Sequence, residues 1–384
     1  FKKIGGFFQM KKIITGIAAL AMLTSVFAVD ISARLVEKGS IAGGYGSEAY
    51  IFGMGKTHQK DADLLEFAFA GDKSGANFKI WADLGDDEAL KVRYASFWFK
   101  PIDMLKITIG RSAPGLYGER IDWWKVGTGV KYTDFNEWGG PGRYSSAAIG
   151  DGYGICLELA PIDGLTVTAQ LIPGVGNAFL TANKDGATYT KWGAMAKYQI
   201  LDNISAGAAF RDNGKDSWKQ VRVGVEFGNW GTPYYGFVMP VMLLNCKASD
   251  SGLDGICIDN YFSYNFGFMN LQARFPVTIR LTGDAGDPSW MAYNIKASFP
   301  LNGWTPYVQI QSLDMDDDGT FSNCGPMHKA LTFDDNFAFN VSVRAGAAFN
   351  VGTVGLDVAA CVNIDTAEGA KLGWYIPFQA AISF

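Results

Sequence analysis

Histidine occurs only twice in the 384-residue chain, at His58 and His328, so a multi-histidine metal centre is excluded. Long apolar runs are almost as scarce. One exists, "IITGIAALAMLTSVFA", directly after Met10, Lys11 and Lys12. No other run approaches the length of a spanning helix, which excludes a helical membrane protein. Charged residues make up only 18% of the chain. A phosphate-binding loop is also missing: "GMGKT" at 53–57 resembles one, but Tyr50 stands where its first glycine would be. No Ser-His-Asp constellation is marked, so no enzyme is expected, and neither is a nucleic-acid partner. No linker or shift of composition divides the chain, which predicts one domain.

The single apolar run has the architecture of a secretory signal peptide. A basic start is followed by a short apolar core, with Val26 and Ala28 before the cut. Translation is expected to start at Met10 and cleavage to follow Ala28, which leaves residues 29–384 as the exported domain. Residues 1–9, "FKKIGGFFQ", fit no part of that architecture and read as translated leader.

What the sequence has in quantity is glycine (47), aromatics (14%) and an overall hydrophobic content of 48%. An exported chain this apolar, without apolar runs, must spread its apolarity one residue in two. That is the signature of a transmembrane antiparallel β-barrel, all-β, with a lipid face alternating with a polar lumen. Alternating segments fall near 62–70, 76–84, 89–99, 104–111, 152–160, 164–172, 188–199, 203–211 and 218–227. They continue near 233–244, 259–269, 271–282, 289–299, 304–313, 336–349, 351–362 and 372–384. With a first strand near 30–37 this predicts about 18 strands, with 16 as the alternative.

A repeat organises the strands. "FKPIDMLKITI" at 99–109 returns as "LAPIDGLTVTA" at 159–169, with looser echoes at 198–208 and 299–308. Each reads as strand, tight turn, strand, with proline presetting φ and Asp/Asn-Gly supplying left-handed positions. Short turns of this kind belong on the periplasmic rim, and the long stretches 112–151, 173–187, 245–258 and 314–335 on the outer rim.

The chain ends "GWYIPFQAAISF", where Ile376, Phe378, Ile382 and Phe384 share one face of a period-two pattern. This ending resembles the C-terminal signature of bacterial outer-membrane β-barrel porins. The "KPIDMLKITIG" turn style also resembles spirochaete outer-membrane porins. The resemblance implies an outer-membrane location and a last strand read by the barrel-assembly machinery that pairs with the first strand. It also places Phe384 in an interfacial aromatic belt.

Taking the apolar side of each strand as lipid-facing puts Arg34, Lys79, Lys91, Arg93, Lys106, Lys197, Arg222, Arg280, Lys296 and Arg344 inside. Fewer acids follow them: Glu66, Asp83, Glu158, Glu226 and Asp357. The whole chain is nevertheless at −5, so the surplus acid lies in loops. An inward ladder of charge implies a wet lumen. Lys79, Lys91, Arg93 and Lys106 are expected to form one basic patch of unpaired cations.

Residues 112–151 are too long for a plain hairpin connection. "NEWGGPG" within them resembles the "PEFGG" tip of the inward-folded constriction loop of general porins, carried by Glu137, Gly139 and Gly140 with Trp138 in place of Phe. An extra hairpin, with strands at 126–133 and 144–149, reads equally well. Asp314, Asp316 and Asp318 with Gly319 match the start of a calcium loop, although Gly325 stands where the bidentate Glu should be. A solvated acidic loop is the plainer reading. Otherwise no cofactor is expected. Five cysteines leave at least one unpaired. Cys246 and Cys257 flank one expected outer loop and are the pair chosen for a disulfide.

The reading is a water-filled channel for small hydrophilic solutes in the outer-membrane lipid, with modest anion preference. The alternatives are a surface barrel whose outer loops bind host ligands, and a hydrophobic-substrate transporter, which is disfavoured because residues 29–61 are too short and glycine-rich for a convincing plug. Homotrimer and monomer stay equally open.

Overall fold

Antiparallel strands, each paired with its neighbours in sequence, close on themselves into one barrel. The computed structural model describes residues 30–45, 48–54, 64–83, 89–117, 149–150, 152–173, 191–212, 219–228, 233–247, 250–281, 290–291, 293–312, 340–365 and 373–383. The wall has 18 strands, three of them in two pieces. In chain order they are β1 (Asp30–Tyr45), β2 (Glu48–Met54 and Leu64–Ala70), β3 (Ser74–Asp83), β4 (Ala89–Ile102), β5 (Leu105–Ser112) and β6 (Gly152–Ile162). Then come β7 (Leu165–Ile172), β8 (Lys191–Leu201), β9 (Ile204–Asp212), β10 (Lys219–Gly228), β11 (Tyr234–Lys247) and β12 (Asp250–Asn265). The last are β13 (Asn270–Arg274 and Val277–Arg280), β14 (Trp290–Met291 and Asn294–Ser298), β15 (Trp304–Ser312), β16 (Asn340–Val351), β17 (Val354–Asp365) and β18 (Gly373–Ser383).

Each strand pairs with its sequence neighbours, and β1 pairs with β18 from Arg34↔Ser383 to Tyr45↔Gly373. Closure of this kind leaves no edge, a requirement wherever no water can satisfy backbone groups. Ile376, Phe378 and Ile382 lie on β18, where Phe378 faces Gly39 and Ile382 faces Leu35. Phe384 lies outside the described residues.

The strand ends joined across 71–73, 103–104, 163–164, 202–203, 229–233, 266–269, 299–303 and 352–353 all lie at one rim. The strand ends at the long stretches 113–151, 173–190 and 313–339 lie at the other rim, as do those on either side of 46–47 and 248–249. The sequence repeat has a structural counterpart. In both hairpins the ladder slips by one residue before the turn, between Phe99 and Ile102 and again between Leu159 and Ile162. Pro101 and Pro161 sit inside those slips, where a residue without an N–H cannot keep the ladder in phase. Gly164 closes the second turn at φ +78°.

Three expectations need correction. β1 runs to Tyr45 and β2 begins at Glu48, so the glycine-rich stretch that follows residue 37 is wall. Residues 30–45 and 48–54 therefore cannot serve as a plug. Both pieces of β2 pair with β1 (Gly39↔Met54 and Val36↔Leu64), so they form one strand interrupted by residues 55–63. The stretch 245–258 is mostly strand, not loop: β11 continues to Lys247 and β12 starts at Asp250. Its Ser, Asp and Gly read as a turn locally, but pairing along β11 overrides that propensity. With the loop goes the disulfide. Cys246 stands opposite Ser251 and Cys257 opposite Val241, and the Cys257 thiol is free and buried. Five ladder steps separate the two sites, about 17 Å, far beyond disulfide reach.

The outer face carries exposed apolar side chains on neighbouring strands, including Val223, Val225, Val238, Ile258 and Phe262. The inner face at the same heights carries Gln220, Arg222, Asp259 and Gln309. This is the pattern of a transmembrane barrel. Val223 lies midway along β10 and is 41% exposed. Val223→Arg should therefore cost about 2–4 kcal/mol of folding free energy, read by urea unfolding in lipid vesicles. An unchanged unfolding curve would place Val223 away from lipid.

Candidate functional site

On one side of the barrel the inner wall is open. Residues of β1 to β6 line a cavity of about 810 Å³ that includes Arg34, Glu66, Lys79, Trp98, Lys106, Arg111, Cys156 and Glu158. Cross-strand register decides which charges meet. Glu66 lies opposite both Arg34 and Lys79, and Lys106 lies opposite Glu158. Lys79 pairs with Glu66, Arg34 stands 3.8 Å from the same carboxylate, and Lys106 stands 3.6 Å from Glu158. The Lys106 ammonium also lies 5.6 Å from the centroid of the Trp98 ring. Pairs this exposed hold little energy individually, yet four cations face only two carboxylates across this cavity. The wall keeps a positive excess.

The expected patch of unpaired cations is thus overturned twice. Lys79 and Lys106 have acid partners. Lys91 pairs with Trp81 toward the long-loop end of β4, whereas Lys106 on β5 is next to the short-turn end. At about 3.3 Å per residue the two ends are roughly 30 Å apart, so no single patch exists. Arg93 occupies a bulge, because the ladder passes from Lys79↔Tyr94 to Ile80↔Val92. The side chains of Lys91, Arg93 and Arg280 lie outside what the structure describes.

Elsewhere on the inner wall the charged groups are more enclosed. Arg222 faces inward as expected, but it is 1% exposed and donates to Gln220 Oε1 at 2.8 Å. It cannot line open water. Arg344 donates to Asp357 at 3.2 Å, and Tyr307 donates to the same carboxylate at 2.5 Å. Lys296 stands 4.5 Å from the centroid of the Tyr307 ring, with Arg344 at 5.4 Å from it. Sequence reasoning missed Asp259 and Arg274, a buried bidentate pair at 3.0 and 3.1 Å.

Between β5 and β6 the chain turns into the lumen. Leu116, Tyr117 and Ile149 are buried in one cluster with Tyr235, Phe237, Met239, Val241 and Leu243 of β11. The Tyr117 phenol donates to the Gly224 carbonyl, and burial pushes it well above its ordinary pKa, so it remains a donor at neutral pH. β5 pairs directly with β6 as far as Ser112↔Gly152, so no extra hairpin is inserted between them. Glu137, Trp138, Gly139 and Gly140 lie outside the described residues, as do Asp314, Asp316, Asp318 and both histidines. Among the described residues no group of three or more His, Cys, Asp or Glu could hold a metal ion.

No protein-family model and no curated protein matches the chain. Solved structures do. OpdL of Pseudomonas aeruginosa superposes with a TM-score of 0.56 at 12% identity, over 93% of this chain and 98% of that one. OccK2 (OpdF) of the same organism gives 0.58 at 10% identity, over 93% and 98%. The P. aeruginosa outer membrane protein OpdK gives 0.56 at 9% identity, over 92% and 99%. At these identities the likeness establishes the fold, an 18-strand barrel of outer-membrane type.

Proposed function

We propose that this chain is an outer-membrane porin, a water-filled channel through which small hydrophilic solutes diffuse, with a modest anion preference at low salt. The observation that carries the reading is the pairing of an apolar outer face with a charged inner wall around an open cavity. A bilayer solvates the first and only water solvates the second. Likeness of fold to the Pseudomonas aeruginosa outer membrane protein OpdK, over 92% of this chain and 99% of that one, supports it. On this reading residues 10–28 direct export, and the barrel-assembly machinery reads β18. The short-turn rim faces the periplasm. No catalytic role and no cofactor form part of the proposal.

Purified refolded protein in planar bilayers should give discrete conductance steps, and a salt gradient should give a reversal potential displaced toward that of the anion. The anion excess should fade as salt rises, because the screening length falls from about 30 Å at 0.01 M to about 3 Å at 1 M. A correctly closed barrel, recognised by its shift in gel mobility on boiling, that stays silent in the bilayer would overturn the channel reading.

A further inference from the structure

A tryptophan ring stands among the polar side chains of the open cavity. Trp98 of β4 lines it, opposite Gly75 of β3 and Thr108 of β5. A Cβ on Gly75 would lie 2.6 Å from the indole Nε1 and 2.7 Å from Cε2, so glycine is what lets the indole rest against the wall. Glycine inside a strand weakens it, and one beneath a large ring marks a close approach.

The groups around this ring both give and accept hydrogen bonds. Lys106 stands 5.6 Å from the ring centroid and 3.6 Å from Glu158, which brings an N–H donor and a carboxylate acceptor to the indole together. Asn77 stands opposite Ser96, the next cavity-lining residue along β4, and Thr108 flanks Trp98 on β5. Amide and hydroxyl side chains of this kind donate and accept at once. Neighbouring strands are about 4.8 Å apart and same-face residues along one strand about 7 Å, so these groups surround the ring within the reach of one small solute. A site for an anion needs donors alone. Donors and acceptors set around an aromatic face suit a solute that is apolar on the faces of its ring and hydroxylated round its edge.

We propose that Trp98 is the stacking platform of a sugar subsite, on which the ring of a neutral sugar or cyclic polyol lies while its hydroxyls exchange hydrogen bonds with Lys106, Glu158, Asn77 and Thr108. This rests on the channel reading above and names the class of solute that the cavity retains longest. A neutral solute is indifferent to the net positive charge of the wall. The anion preference for salt and the affinity for sugars are therefore separate properties of one cavity.

The test records single channels of wild type, Trp98→Phe and Trp98→Leu, each first shown to shift in gel mobility on boiling, with D-glucose or sorbitol added. The two solutes are close in size and polarity, but only glucose presents the faces of a ring. Glucose should lower the wild-type open-channel current saturably, whereas sorbitol should lower it only in proportion to viscosity. Trp98→Leu keeps apolar bulk over Gly75 without an aromatic face, and should raise the half-blocking glucose concentration about three- to tenfold. Trp98→Phe, with its smaller ring, should fall between them. A conducting wild type that responds identically to glucose and sorbitol would overturn the subsite, and so would a folded Trp98→Leu channel blocked like wild type. The first comparison needs no variant, so it decides even where Trp98→Leu does not assemble. A folded wild-type barrel that is silent would instead overturn the channel reading.

Discussion

Neutralising Lys79, Lys106 and Arg111 together, each to Gln, should invert the selectivity of the channel from anions to cations. All three line the same cavity as Arg34, Glu66 and Glu158. After the change one cation faces two carboxylates, so the sign of the wall reverses. Gln is shorter than Lys or Arg but keeps an amide N–H donor, so each position loses its charge and stays polar opposite Glu66 and Glu158. The expected readout is a reversal potential of opposite sign in a low-salt gradient, collapsing toward zero near 1 M where screening is about 3 Å. The counterpart, Glu66→Gln with Glu158→Gln, should strengthen the anion preference. A triple variant that conducts with unchanged selectivity would show that ions do not pass along this wall.

What the sequence made legible was parity. Val223 and Val225 outside, with Arg222 and Glu226 inside, follow from a period of two and need no partner strand. Register was not legible. That Glu66 meets Lys79 depends on how β2 slides against β3, and a slip of one residue would put one of them on the other face. Arg34, Lys79 and Lys106 line the cavity, but beside acid partners rather than as the unpaired cations expected from parity alone.

β11 shows a second limit. Its inner residues Tyr235, Phe237, Met239, Val241 and Leu243 are apolar, as is outward-facing Val238. Alternation by polarity is therefore absent there. The inner face is apolar because Leu116, Tyr117 and Ile149 cover it. Those residues are remote in sequence, and no local pattern announces them. Gly193, Gly207 and Gly224 are the one local trace, three inward glycines on consecutive strands, and they gain meaning only beside what packs against them.

The buried pair Asp259–Arg274 should carry the largest stability effect of any single site in the barrel. Their side chains are 0% and 4% exposed, and two parallel hydrogen bonds of 3.0 and 3.1 Å join them. The pair stands beside a weak seam. β13 is interrupted at Phe275–Pro276, and β14 is interrupted at the same height, between Met291 and Asn294. Proline has no N–H to offer the ladder. Asn260 partly compensates, its side-chain amide donating to the Phe275 carbonyl at 2.5 Å. Asp259, one residue earlier on β12, reaches inward to Arg274 and clamps β12 to β13 just before the interruption. Arg274→Met would leave the Asp259 carboxylate without its countercharge inside the wall, at a cost of about 3–5 kcal/mol. Replacing both, Asp259→Leu with Arg274→Met, removes the stranded charge and should recover most of that loss, because two apolar side chains of similar volume need no partner. Urea unfolding followed by tryptophan fluorescence, with the boiling-dependent gel shift as a check on closure, separates the cases. The single variant should unfold at clearly lower urea than wild type, and the double variant should fall between them and nearer to wild type. An Arg274→Met barrel as stable as wild type would mean that water reaches Asp259. The seam would then be held by backbone pairing alone.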